Sequence, residues 1–308
     1  MGKHIPVLLK EVIDGLNIKS DGTYLDLTVG RGGHSKEILK KLGTGYLIGV
    51  DQDIEAINES QKNLKEVGDN FELVHQNFSS FINILKDKGI DYVDGILMDL
   101  GVSSPQFDEG DRGFSYKEEA RLDMRMDRSN PKDAYQVVNS YSLEDLTRVF
   151  REYGEEKFSY QIAKNIVKAR EIKPIETTTE LVDVIKKSKP SKELSKVGHP
   201  AKQVFQALRI EVNDELNVLE VALDSALKVL RPHGGRLAVI TFHSLEDRIV
   251  KNKFKEASVV IGDRIDGPMM NVEKEYTLVN RKPLTASIEE LEANHRAISA
   301  KLRIIERK

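Results

Sequence analysis

Leu25-Asp26-Leu27-Thr28-Val29-Gly30-Arg31-Gly32-Gly33-His34 is the stretch that decides the fold. A short apolar strand runs into a glycine-rich turn, and the turn opens a helix with apolar periodicity over His34–Leu42. Glycines let a backbone approach a ligand closely, and a helix N-terminus offers unpaired N–H groups to an anion. Two phosphate-binding patterns do not fit. A dinucleotide fingerprint needs a glycine at position 35, where Ser35 stands, and no Gly-Lys-Ser/Thr follows as a nucleotide-triphosphate loop requires. Asp51 ends the next strand, 21 residues after Gly30, where a carboxylate can accept both hydroxyls of a ribose. Turn and acid together suit an adenosine-containing ligand; the plain alternative is a tight turn and a surface aspartate.

Outward from this turn, Tyr24–Leu27, Tyr46–Val50, Phe71–His75 and Gly95–Leu100 read as buried strands. Helical spacing fills the gaps at His34–Leu42, Ile54–Leu64 and Ser79–Lys88. Such alternation predicts an α/β fold with a parallel sheet. From Ser103 to Val212 there is no convincing buried strand, only helical patterns such as Leu143–Phe150, Tyr160–Ala169 and Leu181–Ile185. A further strand over Gly235–Phe242, a helix over Leu245–Lys255 and candidate strands at Glu275–Val279 and Lys301–Glu306 return to the first pattern. The expected layout is therefore a sheet domain of residues 1–104 and 213–308, interrupted by a mostly α-helical domain of residues 105–212. Phe205, Leu208, Val212, Leu216, Leu219, Leu223, Ala226 and Leu230 trace one apolar stripe, which predicts a long helix from Ala201 to Leu230.

Composition narrows the function. With 39% hydrophobic and 31% charged residues in 308, the chain can bury a sizeable core, which excludes a disordered protein. No apolar run approaches the roughly 18 residues of a spanning helix. The start, with Pro6 where N-myristoylation wants Ser or Thr, has no secretory pattern, so a soluble cytoplasmic protein is expected. The absence of cysteine excludes disulfides, thiol nucleophiles and the zinc site of nucleobase deaminases. A net charge of −3 excludes a general nucleic-acid coat, leaving RNA contact to a local basic patch.

Other candidates lie at strand and helix ends. Asp99 ends the fourth strand and is expected at the same ligand crevice, followed by a Gly/Ser/Pro-rich loop that brings carbonyls and Gln106 to a substrate. Lys202, Gln206, Arg209 and Asn213 fall at i, i+4, i+7 and i+11, on one helix face able to present donors to a phosphate and a base edge. A solvated face is the alternative. Lys186, Lys187, Lys189, Lys192, Lys196 and Lys202 itself form a basic cluster at and just upstream of this face, suited to local RNA attraction. His243 and Glu246 follow the fifth strand.

GRGGH (Gly30–His34), DLGVSSPQ (Asp99–Gln106), RGFSY (Arg112–Tyr116), LDMRMD (Leu122–Asp127), HPAKQVFQALRIEVNDEL (His199–Leu216) and FHSLEDR (Phe242–Arg248) closely resemble the MraW-type family. The likeness runs in order from His4-Ile5-Pro6 to Lys301-Leu302-Arg303; Gln203, where the family more often has a basic residue, is a mild departure. The resemblance implies a Rossmann-like, doubly wound class I methyltransferase that uses S-adenosylmethionine to methylate the N4 amine of a cytidine in the decoding region of 16S rRNA. Carried over by motif, Gly32, Gly33 and His34 hold the methionine end of the cofactor, Asp51 the ribose and Phe78 the adenine. Asp99 and Gln106 complete the pocket near the sulfonium and the target base, with carbonyls around Ser104 and Pro105. Lys202, Gln206, Arg209, Asn213 and His243 face the RNA. The implied partner is 16S rRNA within the small ribosomal subunit, with no membrane contact; a homodimer is compatible.

The chemistry expected of such a site is placement. An exocyclic amine needs acceptors for its hydrogens and in-line approach to an activated methyl, and neither a strong base nor a metal. Two rival classes share some features: a nicotinamide-dependent oxidoreductase, against which the missing third glycine argues, and a non-catalytic RNA-binding module.

Overall fold

The computed structural model describes residues 6–101, 110–258 and 274–308. The chain divides into two units: Met1–Gly101 with Asn217–Lys308, and Val102–Leu216. Among its described residues the first unit holds seven strands: β1 (Thr23–Asp26), β2 (Tyr46–Asp51), β3 (Phe71–His75), β4 (Gly95–Asp99), β5 (Arg236–Thr241), β6 (Tyr276–Leu278) and β7 (Lys301–Arg307). Their order in the sheet is β3-β2-β1-β4-β5-β7-β6. β1 to β5 pair in parallel, while β7 runs antiparallel between β5 and β6. The order reverses between β1 and β4, which places the doubly wound switch point, and with it the crevice a ligand enters, beyond the ends of those two strands.

Burial on both faces explains why these strands read as near-continuous apolar runs. Alternate side chains of a strand go to opposite sides. Leu25, Ile48, Met98 and Val239 join one core with Phe81, Leu219, Leu223 and Phe254. Tyr24, Leu47, Leu97 and Ile240 join the other with Val12, Leu16 and Ile38. The sheet is thus clamped between two apolar layers, which hold its strand ends in place.

The second unit is helical, with helices Ala134–Ser140, Leu143–Glu152, Ser159–Ile172, Thr178–Ser188, Ser191–Leu194 and Lys202–Asn213 and no strand among its described residues. Leu122, Met124, Val137, Phe150, Ile162 and Phe205 belong to its core. Helix starts are marked by side-chain caps: Asp133, Ser142 and a reciprocal capping box of Thr177 with Glu180.

The long helix expected from Ala201 to Leu230 is instead two, Lys202–Asn213 and Glu215–Val229. Asp214 between them adopts a left-handed conformation, φ 50°. Asn213 fixes the break: its Oδ1 accepts from the Met126 N–H at 2.8 Å, and its Nδ2 donates to the carbonyls of Met124 and Arg209. An aspartate tolerates the left-handed region better than most residues, so no glycine or proline advertises the stop.

Candidate active site

Within the sheet unit, β1, β2 and β4 end on Asp26, Asp51 and Asp99; Asp26 pairs with Gly49 and Leu97, so Asp51 and Asp99 lie two residues further along the strands on either side of it. The glycine-rich turn leaves β1 beneath them. Gly32 has φ 79°, a conformation that a side chain resists. Gly33 is glycine for a different reason: a Cβ there would sit 2.5 Å from Cγ of Pro6.

Asp51 braces the turn. Its Oδ2 accepts from the Gly30 N–H and its Oδ1 from the Asp53 N–H, both at 2.9 Å. A carboxylate has about four acceptor positions, so two remain for a ligand. Asp26 is buried and holds the other side: Oδ2 accepts from Ser35 Oγ at 2.6 Å, and Oδ1 from the Thr28 N–H. Thr28 Oγ1 in turn accepts from the Asp99 N–H at 2.6 Å, linking the turn to the end of β4. His34 is buried, its Nε2–H donating to the Val7 carbonyl at 2.9 Å, so the other ring nitrogen points toward Asp99 Oδ2, 3.6 Å away. Asp99 Oδ1 is buried without a hydrogen-bond partner.

Removal from water pushes Asp26 and Asp51 up to about 6, against the hydrogen bonds each accepts. Asp99 is pushed well above the usual carboxylate range by the same desolvation, then by the charges of Asp26 and Glu246. Among the described residues no Lys or Arg pairs with these three carboxylates and Asp99 Oδ1 accepts from no donor, so the cluster has room for positive charge and for further donors. An adenosine-linked sulfonium supplies both: ribose hydroxyls for the two open positions on Asp51, and a cation and ammonium donors beside Asp99. The residues fit S-adenosylmethionine.

Phe78 lies three residues past His75, the β3 partner of Asp51 in register, in a 3-10 turn whose ring packs partly against the core. His243 follows β5; its Nε2 is 3.0 Å from Glu246 Oε1 but outside hydrogen-bond geometry, while Glu246 Oε2 accepts from the Phe242 N–H. Ser104, Pro105 and Gln106 lie outside the described residues. Asp26, Thr28 and Ser35 join these residues without standing out in the sequence. The signal was present, since a carboxylate at the end of a buried strand needs donors close by.

In the helical unit, the shared face expected of Lys202, Gln206, Arg209 and Asn213 is largely spent internally. Gln206 donates to the Tyr153 carbonyl, Arg209 makes a bidentate pair with Glu215, and Asn213 holds the helix end; Lys202 is exposed. These side chains terminate and tether their helix rather than present donors outward. The basic cluster is also thinner than expected. Lys189 is buried on Glu156 at 2.6 Å and on the Pro200 carbonyl, and Lys196 pairs with Glu193, while Lys186, Lys187 and Lys192 are exposed.

A model of the MraW methylase family matches residues 1–308. Among solved structures, the chain is similar to a Clostridium thermocellum protein assigned as an rRNA methylase (TM-score 0.45, 15% identity, covering 99% of this chain and 100% of that one). It is also similar to an rRNA methylase from Streptococcus thermophilus (0.44, 10%, 99% of each). A third is SMU.1697c of Streptococcus mutans, assigned as a methyltransferase and solved with SAH (0.44, 13%, 100% of each).

Proposed function

The chain belongs to the MraW methylase family, and from that premise we propose that it methylates the N4 amine of a cytidine in the decoding region of 16S rRNA. The observation that carries this reading is Asp99, a carboxyl at the end of β4 whose Oδ1 is buried and unpartnered beside a turn and an acid suited to an adenosine. S-adenosylmethionine supplies a methyl group already activated on a sulfonium.

This chain's residues then bind and place. Gly32, Gly33 and His34 hold the methionine end. Asp51 accepts from the ribose, and Phe78 lies against the adenine. The N4 lone pair of cytosine is delocalised into its ring, so the amine must be oriented. Asp99 accepts an N4 hydrogen through the unpartnered oxygen, turns the lone pair toward the methyl group and stabilises the positive charge that grows on nitrogen. A cation beside Asp99 favours its ionised form and offsets the desolvation that raises it. The proton leaves after transfer, so no strong base is required. Carbonyls around Ser104 and Pro105 add acceptors, and Gln106 completes the pocket. Residues 105–212 serve as the substrate-recognition domain, with Lys202 and the exposed lysines drawing in RNA and His243 beside the target base.

The chemistry also favours an amine over carbon. Methylation at C5 of a pyrimidine ordinarily relies on a cysteine thiolate adding to the ring, and the chain has none. The test is transfer of labelled methyl to 16S RNA or small subunits. Asp99→Ala should lose about 100-fold in turnover while RNA still binds; full turnover in that variant would remove Asp99 from the reaction.

A further inference from the structure

One open cleft of the helical unit has no part in the chemistry above. It is about 210 Å³ and lies between the helix Leu143–Glu152 and the start of the helix Ser159–Ile172. Leu143 and Thr147 give it an apolar floor, and Tyr160, 54% exposed, forms a wall. An aromatic ring held in water beside an apolar floor costs free energy that a stacking partner recovers.

The charges around it are arranged unevenly. Arg148 and Glu152 neutralise each other at 3.7 Å. Arg151, on the rim, is exposed and makes no ion pair among the described residues. Lys164 lies 6.0 Å from the centre of the Tyr160 ring, and Lys168 follows one turn later on the same exposed face. Neither lysine pairs with a carboxylate among the described residues. Arg151 on the rim and Lys164 at the aromatic wall are therefore unneutralised, with Lys168 one turn beyond, and the remaining rim acid, Glu144, offers an acceptor at the cleft. A bare anion would not want Glu144 there. A nucleobase does, because its exocyclic amine can donate to the carboxylate while its face stacks on tyrosine.

We propose that this cleft takes a splayed-out base of single-stranded RNA, stacked on Tyr160, with the adjoining phosphates on Arg151, Lys164 and Lys168. Combined aromatic and cationic surfaces of this kind hold single strands with little sequence preference. The proposal rests on the reading of the chain as an RNA methylase, and adds an anchoring site that does not touch the reacting atoms.

The test is binding of a fluorescein-labelled single-stranded RNA from the decoding region to the full chain, with S-adenosylmethionine affinity measured alongside. Tyr160→Ala should weaken RNA binding by roughly ten-fold or more, whereas Tyr160→Phe, which keeps the stacking face, should stay within about two-fold of wild type. Lys164→Gln with Lys168→Gln should lower the slope of log affinity against log salt by about 1.4. Cofactor affinity should not change in any of them. Unchanged RNA binding in Tyr160→Ala, or equal losses in the Ala and Phe variants, would overturn the stacking site while leaving the methylase reading intact. If Tyr160→Ala dissolved a dimer and left RNA binding unchanged, the cleft would be a contact between copies and the proposal would fall. Wild-type protein that bound no RNA would sink the proposal and the methylase reading together.

Discussion

Asp51 braces the glycine turn, and in the proposed site the same carboxylate receives a ribose. Both need the ionised group, yet burial lifts it to about 6. The sign follows from which form binds. Above pH 6 the carboxylate is ready and its contribution to cofactor affinity should be flat. As pH falls through 6 toward the ordinary value of 3.8, affinity should fall by up to about ten-fold per unit. Calorimetry over that window checks this, and Asp51→Asn should remove Asp51's share of the pH dependence. Asp51→Ala should weaken binding by about 1–3 kcal/mol at neutral pH, through loss of acceptors for two hydroxyls; unchanged affinity would take Asp51 out of the site. Folding without ligand has the opposite trend. Asp26 and Asp51 have raised values, so the stability they contribute is complete below pH 3.8 and is lost as pH rises through about 6. Thermal midpoints of the ligand-free chain should therefore decline between pH 4 and 7 on their account, and added cofactor should narrow the difference.

At the scale of elements, Lys189 shows how a charge run misleads. In the sequence it is one lysine among several. In the fold it is buried at the end of the helix Thr178–Ser188, donating to Glu156 and to the Pro200 carbonyl. Lys189→Met should strand the Glu156 carboxylate, itself held by the Phe158 N–H, and destabilise the helical unit by about 3–5 kcal/mol. Lys187→Gln, on an exposed side chain, should cost no more than about 0.5 kcal/mol in the same denaturation experiment. The sheet was legible because its strands are buried on both faces and so carry long apolar runs, and because Gly30–Gly33 and Asp51 sit at strand ends where an α/β sheet puts its ligands. The left-handed Asp214 was not legible, since the apolar stripe resumes in phase after it. The donors of Gln206 and Asn213 were equally hidden: helical spacing places a side chain on a face but does not say which carbonyl from a distant turn meets it there.

For the whole molecule, a net charge of −3 means that RNA must be met locally. Lys187 and Lys192 are exposed, while Lys196 already pairs with Glu193. Neutralising all three should reduce the salt dependence of RNA binding by about two counterions' worth rather than three, with cofactor affinity unchanged. Collapse of cofactor binding with RNA binding intact would contradict the separation of tasks between the two units. The atom that receives the methyl group is read by digesting 16S RNA methylated by the purified protein to nucleosides, followed by mass spectrometry. N4-methylcytidine is the product expected from an oriented amine beside Asp99; 5-methylcytidine or a 2′-O-methylated nucleoside in its place would contradict the account.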